Sequence, residues 1–575
     1  MKNEQLEHKR HSLAHLLASA VLEHYPDAQP TLGPAIDTGF YYDFLFSSPI
    51  SDADLKQIQK TMHKKLNSWK SFEGKEVSPD EAREIYKNNK YKLELINEIA
   101  ERGEKITLYT SGDFTDLCRG GHIDDLSKID GDSFELDKIA GAYWRGDEKN
   151  DMLTRIYGLA FETKEELEAY KKQKAEAKER DHRKLGKELD LFTFSDLVGG
   201  GLPLFTPKGT AMRNAIVNKI KGIQKEYGYQ EVWIPHITKP ELYKASGHWE
   251  KFGDELFKVR GQDTDFVMKP MNCPHHTQIF ASSARSYKEL PVRYMEATTC
   301  YRDEQSGELL GLSRVRALTQ DDGHIFCTED QIEQEVGIVV SVIEKFYTSL
   351  GMWNEGGFWV RLSAHDPENP EKYLGGSEIW EKAEGALKKI ADDRGLPCKY
   401  VAGEAAFYGP KLDFMFKDAI GREWQLATAQ LDFNMPKRFE LEYTDKDGTK
   451  KTPVMIHRAV AGSLERFLSV IIEHFAGNFP LWLSPVQVKV LPVMESHNEY
   501  AKEIANKLRA LDLRVELDDS DNGLGKKVRQ AKQEKVPYFI IIGDKDIEAN
   551  KVSLESRDEG QLGQMSIEEV IEKLK

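Results

Sequence analysis

Residues 163–192, TKEELEAYKKQKAEAKERDHRKLGKELDLF, constrain the fold of this chain more than any other stretch. They are almost all Lys, Glu, Ala and Arg, and opposite charges recur at i,i+4 spacing, which favours a helix. Such a segment is typical of a solvated helix between domains. Because 575 residues also exceed what one hydrophobic core usually holds, three or four domains are expected.

The sequence differs on the two sides of this linker, which we place at residues 161–184. Residues 1–160 mix an amphipathic opening helix with short strands and Gly-rich turns, as in an α+β domain. Residues 185–480 carry β-rich runs in series, such as VRYMEATTCYR, which predicts an α+β domain around an antiparallel sheet. Residues 481–575 alternate strand and helix, which predicts a small α/β domain with a mostly parallel sheet.

Composition excludes several classes of protein. The N-terminus lacks a secretory signal and no apolar run is long enough to span a bilayer, so no membrane partner is expected. Five scattered cysteines without a CxxC pair indicate a reducing, cytoplasmic setting. A net charge of −16 argues against a DNA-coating protein, so any nucleic acid must be held by local patches. The basic run KKVRQAKQEK, residues 526–535, is either a solvated helix face or such a patch.

Three arginines flank a turn-rich loop in residues 300–327, CYRDEQSGELLGLSRVRALTQDDGHIFC. Arg302 ends one predicted strand, and Arg314 and Arg316 open the returning one. Arginines that face each other across a hairpin can grip a phosphate from both sides through bidentate hydrogen bonds. A further arginine, Arg466, lies on a predicted helix that begins just after a strand.

The stretch MNCPHH, residues 271–276, leaves the role of Cys273 open. Free cysteine is among the most buried residue types, so a core thiol is the commonest outcome for a lone one. A nucleophile and a metal ligand are the alternatives.

Several of these motifs resemble those of class II aminoacyl-tRNA synthetases. The arginine hairpin resembles their second motif, the helix with Arg466 their third, and EYGYQEVWIPHI at 226–237 their first. Five stretches in order along the chain resemble the threonyl-tRNA synthetase family: KPMNCPHH, TQDDGHIFC, FYGPKLDF, WQLATAQLDF and VMIHRAVAGSLERF. The resemblance implies ATP-dependent attachment of L-threonine to tRNA(Thr) through threonyl-adenylate. It also implies a homodimer built around motif 1, Tyr229 to Ile237, and anticodon binding by residues 481–575, with 526–535 facing the RNA.

The resemblance carries a metal site with it. One cysteine and two histidines of that family hold Zn²⁺ in the catalytic site, and the matching residues are Cys273, His324 and His457. Their neighbours His275 and His276 are expected not to be ligands. Zinc would solve a recognition problem, because an apolar pocket separates threonine from the nearly isosteric valine by only about a hundredfold.

The other site residues follow by motif match. Catalytic roles fall on Arg302, Arg466 and Lys411, with Mg²⁺ accompanying ATP. At the position of Leu318 the family usually has an aromatic residue against adenine, and at His275 it usually has glycine. Binding of ATP, threonine or both is expected of Glu304, Arg314, Gln320, Asp322, Tyr408, Gln425, Gln430 and Ser463.

Two His/Cys pairs at i,i+4 spacing mark the N-terminal part: His11 with His15, and Cys118 with His122. Without the resemblance these could be scattered surface histidines and a core thiol. Ser12 follows the first histidine, so the HExxH pattern of zinc proteases is excluded. The pairs resemble the editing domain shared by threonyl- and alanyl-tRNA synthetases, which implies a hydrolytic pocket for mischarged seryl-tRNA(Thr) that also includes Lys92 and Asp116. Whether this pocket binds a metal stays open.

Most bacterial members of that family carry a small β-grasp domain before the editing domain, and we expect this chain to lack it. Two other functions are weighed beside the ligase. A catalytically silent tRNA- or mRNA-binding paralogue would not need Arg302, Arg466 or the Cys–His–His set, all of which are present. A stand-alone hydrolase would leave most of the chain without a role.

Overall fold

The computed structural model describes residues 2–574 and separates into two compact units, up to residue 176 and from residue 177 onwards. Within residues 2–574, no helix is long and apolar enough to cross a bilayer. The N-terminal unit contains α1 Lys2–His24, β1 Gln29–Pro30, β2 Ala35–Ile36, β3 Gly39–Leu45, α2 Asp52–Leu66, β4 Glu73–Val77, α3 Pro79–Ile85, α4 Lys90–Glu101, β5 Ile106–Ser111, β6 Phe114–Leu117, β7 Phe134–Tyr143 and β8 Met152–Ala160.

The opening helix α1 organises the N-terminal unit, as its apolar spacing predicts. Leu13, Leu16 and Leu17 are completely buried in one core with Phe40 of β3. The sheet beneath runs β1-β3-β8-β7, and a second sheet runs β4-β5-β6. One turn of helix carries His11 and His15 on the same face, so both reach the end of strand β6.

The expectation of one linker helix at 161–184 is wrong in one respect. The structure has two helices, α5 Lys164–Arg180 and α6 His182–Glu188. Asp181 separates them with non-helical backbone, and its carboxylate accepts a hydrogen bond from Arg183 N at the start of α6. Aspartate favours this N-cap position, which interrupts an otherwise helix-forming run.

The second unit is larger. Its remaining elements are β9 Phe192–Thr193, β10 Leu204–Phe205, α7 Pro207–Glu226, β11 Gln230–Glu231, β12 Ile237–Thr238, α8 Pro240–Ser246, α9 His248–Phe252, β13 Lys258–Arg260, β14 Asp265–Met268, α10 Cys273–Ala281, β15 Val292–Tyr301, β16 Ala317–Cys327, α11 Ile332–Thr348, β17 Phe358–Ala364, α12 Ser377–Asp393, β18 Cys398–Ala402, β19 Lys411–Lys417, β20 Glu423–Asp432, α13 Met435–Arg438, β21 Tyr443–Thr444, β22 Lys450–Lys451, β23 Val454–Ser463, α14 Leu464–Phe475, β24 Val488–Pro492, α15 Asn498–Arg509, β25 Val515–Leu517, α16 Leu524–Gln533, β26 Tyr538–Ile542, α17 Asp544–Glu548, β27 Val552–Ser556, β28 Gly560–Met565 and α18 Ile567–Lys573.

An eight-stranded sheet forms the centre of this unit, in the order β11-β15-β16-β23-β20-β19-β17-β18. The six inner strands pair antiparallel, which confirms the predicted antiparallel α+β core, and only the edge strands β11 and β18 are parallel to their neighbours. Helices α11 and α14 pack in the same core as the sheet. Chain-distant residues such as His324 and His457 thereby become neighbours on adjacent strands.

The C-terminal sheet runs β25-β24-β26-β27-β28. Strands β25, β24 and β26 are parallel, as predicted, but β27 and β28 pair antiparallel. The expectation of a mostly parallel sheet is therefore wrong for its last two strands. Residues 557–559 join them in a tight turn, and such a short connection permits only antiparallel pairing.

Candidate functional site

Arg302 lies at the open end of the β15–β16 hairpin. Its backbone N–H donates to Arg316 O at 2.9 Å, which fixes the two sides of the loop against each other. The Arg302 guanidinium lies 5.1 Å from the ring centroid of Phe252, and its Nε has no hydrogen-bond partner among residues 2–574. Its Nη2 donates to the weak acceptor Met271 Sδ at 3.2 Å, and among the described residues it forms no ion pair, so the guanidinium can bind an anion.

Arg314, which is predicted to bind ATP, is held by two carboxylates in the structure. Its Nε donates to Glu304 at 2.7 Å and its Nη2 to Glu308 at 2.9 Å. Of the three arginines, Arg314 is thus paired with two carboxylates and Arg316 Nε lies 3.4 Å from Asp303 Oδ1, whereas Arg302 has no ion pair among the described residues.

Helix α14 begins directly after β23, as predicted. Ser463 caps it by accepting from Arg466 N at 3.4 Å, and the Arg466 guanidinium lies 5.8 Å from the Trp424 ring centroid. Arg466 thus projects from the first helical turn, beside the sheet strand β20.

Asp413 on β19 is a buried hub that the sequence analysis missed. One carboxylate oxygen accepts from Lys411 Nζ at 2.8 Å and the other from Gln425 Nε2 at 2.8 Å. It also accepts from Ser363 and Thr428. Asp413 therefore connects Lys411 to Gln425. The predicted Gln430 is not part of this group, since it donates to Gly409 O at 3.2 Å.

Cys273, His324 and His457 form a buried cluster, as the motif match predicts. One possible ligand atom from each lies within 4.8 Å of the others. His324 and His457 are register partners on β16 and β23, and Cys273 begins helix α10. Neither His275 nor His276 belongs to this group.

The outer ring nitrogens of both histidines are held by other side chains. His457 Nε2 is 3.0 Å from Asp432 Oδ2, and His324 Nδ1 is 2.7 Å from His276 Nδ1. The inner nitrogens, His324 Nε2 and His457 Nδ1, face each other at 2.9 Å. Such outer partners orient the imidazoles of metal sites, a role that the sequence predicts for neither Asp432 nor His276.

The donor set fits a zinc ion. A thiolate and two imidazoles suit zinc, and three protein ligands leave a position for substrate. Burial raises the pKa of the Cys273 thiol well above its usual range, a shift that a coordinated cation would reverse.

Three predicted substrate residues surround this cluster. Asp322 Oδ2 accepts from Asn272 Nδ2 at 3.0 Å, and its Oδ1 lies 3.7 Å from His324 Nε2. Asn272 also contacts Gln320 Oε1 at 3.4 Å, and the Tyr408 ring centroid lies 5.1 Å from that of His457. The two residues that depart from the family pattern, Leu318 and His275, are both buried. Leu318 packs with Cys300 and Val315, and both ring nitrogens of His275 are without hydrogen-bond partners among the described residues.

The N-terminal unit brings its four predicted Cys and His residues together. Cys118 Sγ lies 3.0 Å from His11 Nε2 and 3.3 Å from His122 Nε2, and ligand atoms of these three and His15 fall within 4.8 Å of one another. Burial opposes ionisation of Cys118, but hydrogen bonds from His11 and His122 outweigh it and lower its pKa to about 4.

Asp116 contacts the quartet of His11, His15, Cys118 and His122 through His15. It forms an ion pair with Lys92 at 2.5 Å and lies 3.2 Å from His15 Nδ1. Burial lowers the pKa of His15, but bonding to Asp116 and Cys118 outweighs it and raises that pKa to about 9. Tyr42, which the sequence analysis missed, donates to Asp116 at 2.5 Å.

A cavity of about 360 Å³ lies beside three of these four residues, His11, His15 and Cys118. Its lining also includes Lys92, Leu95, Ile99, Arg102, Lys105 and Arg119. The arrangement offers a thiolate, imidazoles and an ammonium around a space large enough for a small polar group.

The basic run 526–535, predicted to face RNA, is only partly exposed. Lys527 is buried and donates to Pro492 O and Asp518 O, and Lys535 donates to Ala476 O. Lys532 forms an ion pair with Glu555 at 2.8 Å. Lys526, Arg529 and Lys532 are exposed, with Lys526 Nζ 2.9 Å from Asn522 Oδ1, so only part of the charge of this run faces solvent.

Comparison with known proteins agrees with this geometry. Residues 257–475 match the family tRNA synthetase class II core domain (G, H, P, S and T), residues 487–575 the family Anticodon binding domain, and residues 106–157 the Threonyl and Alanyl tRNA synthetase second additional domain. The antiparallel sheet with its arginine hairpin is accordingly the catalytic core of a class II aminoacyl-tRNA synthetase, preceded by an editing-type domain.

Similarity to individual proteins identifies the family within this class. Threonine–tRNA ligase of Rubrobacter xylanophilus is 48% identical over 96% of this chain and 85% of its own length, and that of Synechocystis sp. is 47% identical over 100% and 96%. The crystal structure of the RNA binding domain of threonyl-tRNA synthetase from Cryptosporidium parvum matches with a TM-score of 0.65 and 37% identity, covering 68% of this chain and 97% of that one. The chain belongs to the threonine–tRNA ligase family.

Proposed function

We propose that this protein attaches L-threonine to tRNA(Thr) through threonyl-adenylate and hydrolyses mischarged seryl-tRNA(Thr). The observation that carries the proposal is the buried Cys273–His324–His457 cluster, set in a sheet that also carries the arginine hairpin. Retention of these groups argues against a catalytically silent paralogue. ATP–pyrophosphate exchange with a panel of amino acids tests the proposal: threonine should support exchange and valine should not.

Adenylate formation needs positioning and charge neutralisation more than acid–base chemistry, because a carboxylate is already a nucleophile. Arg302, which has no carboxylate partner among residues 2–574, would contact the α-phosphate and the attacking carboxylate. Arg466, on α14, would hold the outer phosphates or adenine together with Arg314, which must exchange its bonds to Glu304 and Glu308 for phosphate oxygens. Mg²⁺ accompanies ATP.

Lys411 and Gln425 would act as a unit on the ATP and substrate side, because both are bonded to Asp413. Ser463 holds the first turn of α14. Tyr408 and Gln430, both next to His457, would contact the substrate, and Glu304 would lie near adenine. These roles come from the family match and the contacts described above.

Cys273, His324 and His457 would hold Zn²⁺. When bound there, zinc would supply a Lewis acid for recognition of the α-amino group and the side-chain hydroxyl of threonine. Valine lacks the hydroxyl and would leave the site incompletely bonded. Asp322, close to His324, is suited to accept a hydrogen bond from the amine or the hydroxyl, with Gln320 beside it.

Serine keeps both groups that this site reads and lacks only a methyl, worth roughly 1–3 kcal/mol of discrimination. A second, hydrolytic site is therefore required, and the pocket around Cys118 is suited to it. His11, His15 or His122 would order the attacking water, with Lys92, tied to Asp116, on the terminal ribose side.

Two further proposals concern partners. Motif 1 exposes large apolar side chains, with Trp233 75% and Ile237 44% accessible, which supports a homodimer built on this surface. Residues 481–575 would bind the anticodon of tRNA(Thr).

We place the functional boundaries at 1–160 for editing, 161–184 for the linker, 185–480 for catalysis and 481–575 for anticodon binding.

A further inference from the structure

Asp181, His182 and Glu473 form a third cluster of Cys, His or acidic side chains close enough to share a metal ion. Both ring nitrogens of His182 already have partners, however. Nδ1 lies 2.6 Å from Glu473 Oε1, and Nε2 lies 3.1 Å from the backbone nitrogen of Leu312. The cluster is therefore a hydrogen-bonded network.

The hydrogen-bond roles in this network follow from the backbone. Leu312 N–H can only donate, so His182 Nε2 must carry its lone pair. The ring proton is then on Nδ1 and donates to Glu473, which also accepts from His182 N at 3.0 Å. The second carboxylate oxygen of Glu473 pairs with Arg422 at 2.5 Å. Every strong donor and acceptor of the His182 ring is used.

Leu312 lies in the turn that ends at Arg314. Leu310 N donates to Arg314 O at 3.2 Å, and Arg314 N to Leu310 O at 3.3 Å, which closes a tight loop around Gly311 to Ser313. His182 contacts this turn so closely that a Cβ at Gly311 would lie 2.3 Å from Nε2, and Gly311 has a φ of +51°. Only glycine is accommodated there without strain.

A second bond ties the same turn to helix α14. Ser313 Oγ is 2.9 Å from Ser469 Oγ, one turn beyond Arg466 on that helix. Glu473 lies one further turn along α14. The turn before Arg314 and the helix that carries Arg466 are thus held together at two points, Ser313–Ser469 directly and Leu312–Glu473 through His182.

We propose that His182 is a positioning residue for ATP binding: it holds the loop of Arg314 in register with the helix of Arg466. This inference rests on the proposed function, because it assumes that these two arginines bind ATP. A polar tether of this kind matters because a small displacement of a phosphate-binding group has a large effect on rate. Its effect should fall on ATP and leave threonine binding and editing unchanged.

Two substitutions of His182 each keep one of the two hydrogen bonds made by its ring. His182→Asn keeps an N–H near the position of Nδ1 for Glu473 and loses the acceptor for Leu312. His182→Gln places an amide oxygen near the position of Nε2 and keeps that acceptor. In threonine-dependent ATP–pyrophosphate exchange by the full-length protein, we expect His182→Asn to raise the KM for ATP about tenfold. His182→Gln should stay within about threefold of wild type, and the KM for threonine should not move in either variant.

Hydrogen–deuterium exchange gives a readout that does not depend on activity. The Leu312 amide should exchange faster in His182→Asn than in wild type, and His182→Gln should restore its protection. Should His182→Asn fail to fold, Ser313→Ala removes the other tether and should raise the KM for ATP about threefold while speeding exchange in the same peptide.

The inference would be overturned if Asn and Gln at position 182 had equal effects. It would also be overturned if Leu312 exchange and the KM for ATP were unchanged in both variants, since Leu312 would then be held by its buried side chain alone. Wild-type protein without threonine-dependent exchange would instead refute the proposed function, while the deuterium experiment would still report on the tether.

Discussion

His324 and His457 face each other across adjacent strands, with Nε2 of the first 2.9 Å from Nδ1 of the second. The pairing exists because β16 and β23 are neighbours in the sheet although far apart in the chain. Asp432 and His276 hold the opposite edges of the two rings, so the inner nitrogens converge on Cys273.

This convergence predicts about one zinc ion per chain in purified protein. Cys273→Ser should lose the zinc and threonine activation together, because the thiolate is one of only three ligands. Cys398→Ser, at a half-buried cysteine outside the cluster, is the matched control and should keep both. Full threonine-dependent exchange by a metal-free preparation would contradict the prediction.

Asp432→Asn tests the orientation of His457 separately from the ligands. Loss of the carboxylate that accepts from Nε2 should weaken zinc binding by about 10- to 100-fold while the fold persists. Competition with a chelator of known affinity measures this. An unchanged affinity would mean that strand pairing alone orients His457.

The sequence predicts the parts of this site that lie in continuous motifs, and it misses those that depend on strand register. Arg302, Arg466 and the Cys–His–His set were found because each lies in a motif with a recognisable pattern. Asp413 and Asp432 were missed as hubs, since a buried carboxylate reveals its partners only after β19, β20 and β23 are aligned. Lys527 was misjudged for a similar reason: its burial depends on the loop after β25.

If the N-terminal pocket edits, loss of its side chains should impair only the removal of mischarged serine. Cys118→Ala and a double His11→Ala/His15→Ala variant should accumulate seryl-tRNA(Thr) and charge threonine normally, because the catalytic cluster is in the other unit. Cys327→Ser, a buried thiol of that other unit, serves as the control. Deacylation by both editing variants as fast as by wild type would show that these residues are structural.

The same quartet predicts a pH dependence of stability in the N-terminal unit. The depressed pKa of Cys118, about 4 against 9.0, adds stability that is complete above pH 9 and lost as pH falls towards 4. The raised pKa of His15, about 9 against 6.5, adds stability that is complete below pH 6.5 and lost as pH rises towards 9. The two cancel between pH 6.5 and 9. Burial lowers the pKa of His122 to about 4 against 6.5, which acts in the same direction as Cys118 below pH 6.5, so the contribution of the quartet to stability should fall as pH drops from about 6.5 to 4.

Hydrogen exchange in helix α1 measures this effect locally. Protection should decrease between pH 6.5 and 4.5, after correction for the intrinsic exchange rate, and the decrease should be smaller in Cys118→Ala. An identical pH dependence in the two proteins would show that Cys118 is not a thiolate in the folded state.

The anticodon proposal yields a prediction that depends on which basic residues are exposed. Lys526 and Arg529 are exposed on α16, whereas Lys527 is buried and holds Pro492 and Asp518. A double Lys526→Ala/Arg529→Ala variant should therefore weaken aminoacylation of tRNA(Thr) and leave ATP–pyrophosphate exchange unchanged. If both side chains contact phosphates, the slope of log affinity against log salt should shrink by roughly 1.4 for a single-stranded loop. Lys545→Ala, at an exposed lysine outside α16, is the matched control. A double variant with wild-type affinity and salt slope would place the RNA on a surface of the domain other than the one that carries Lys526 and Arg529.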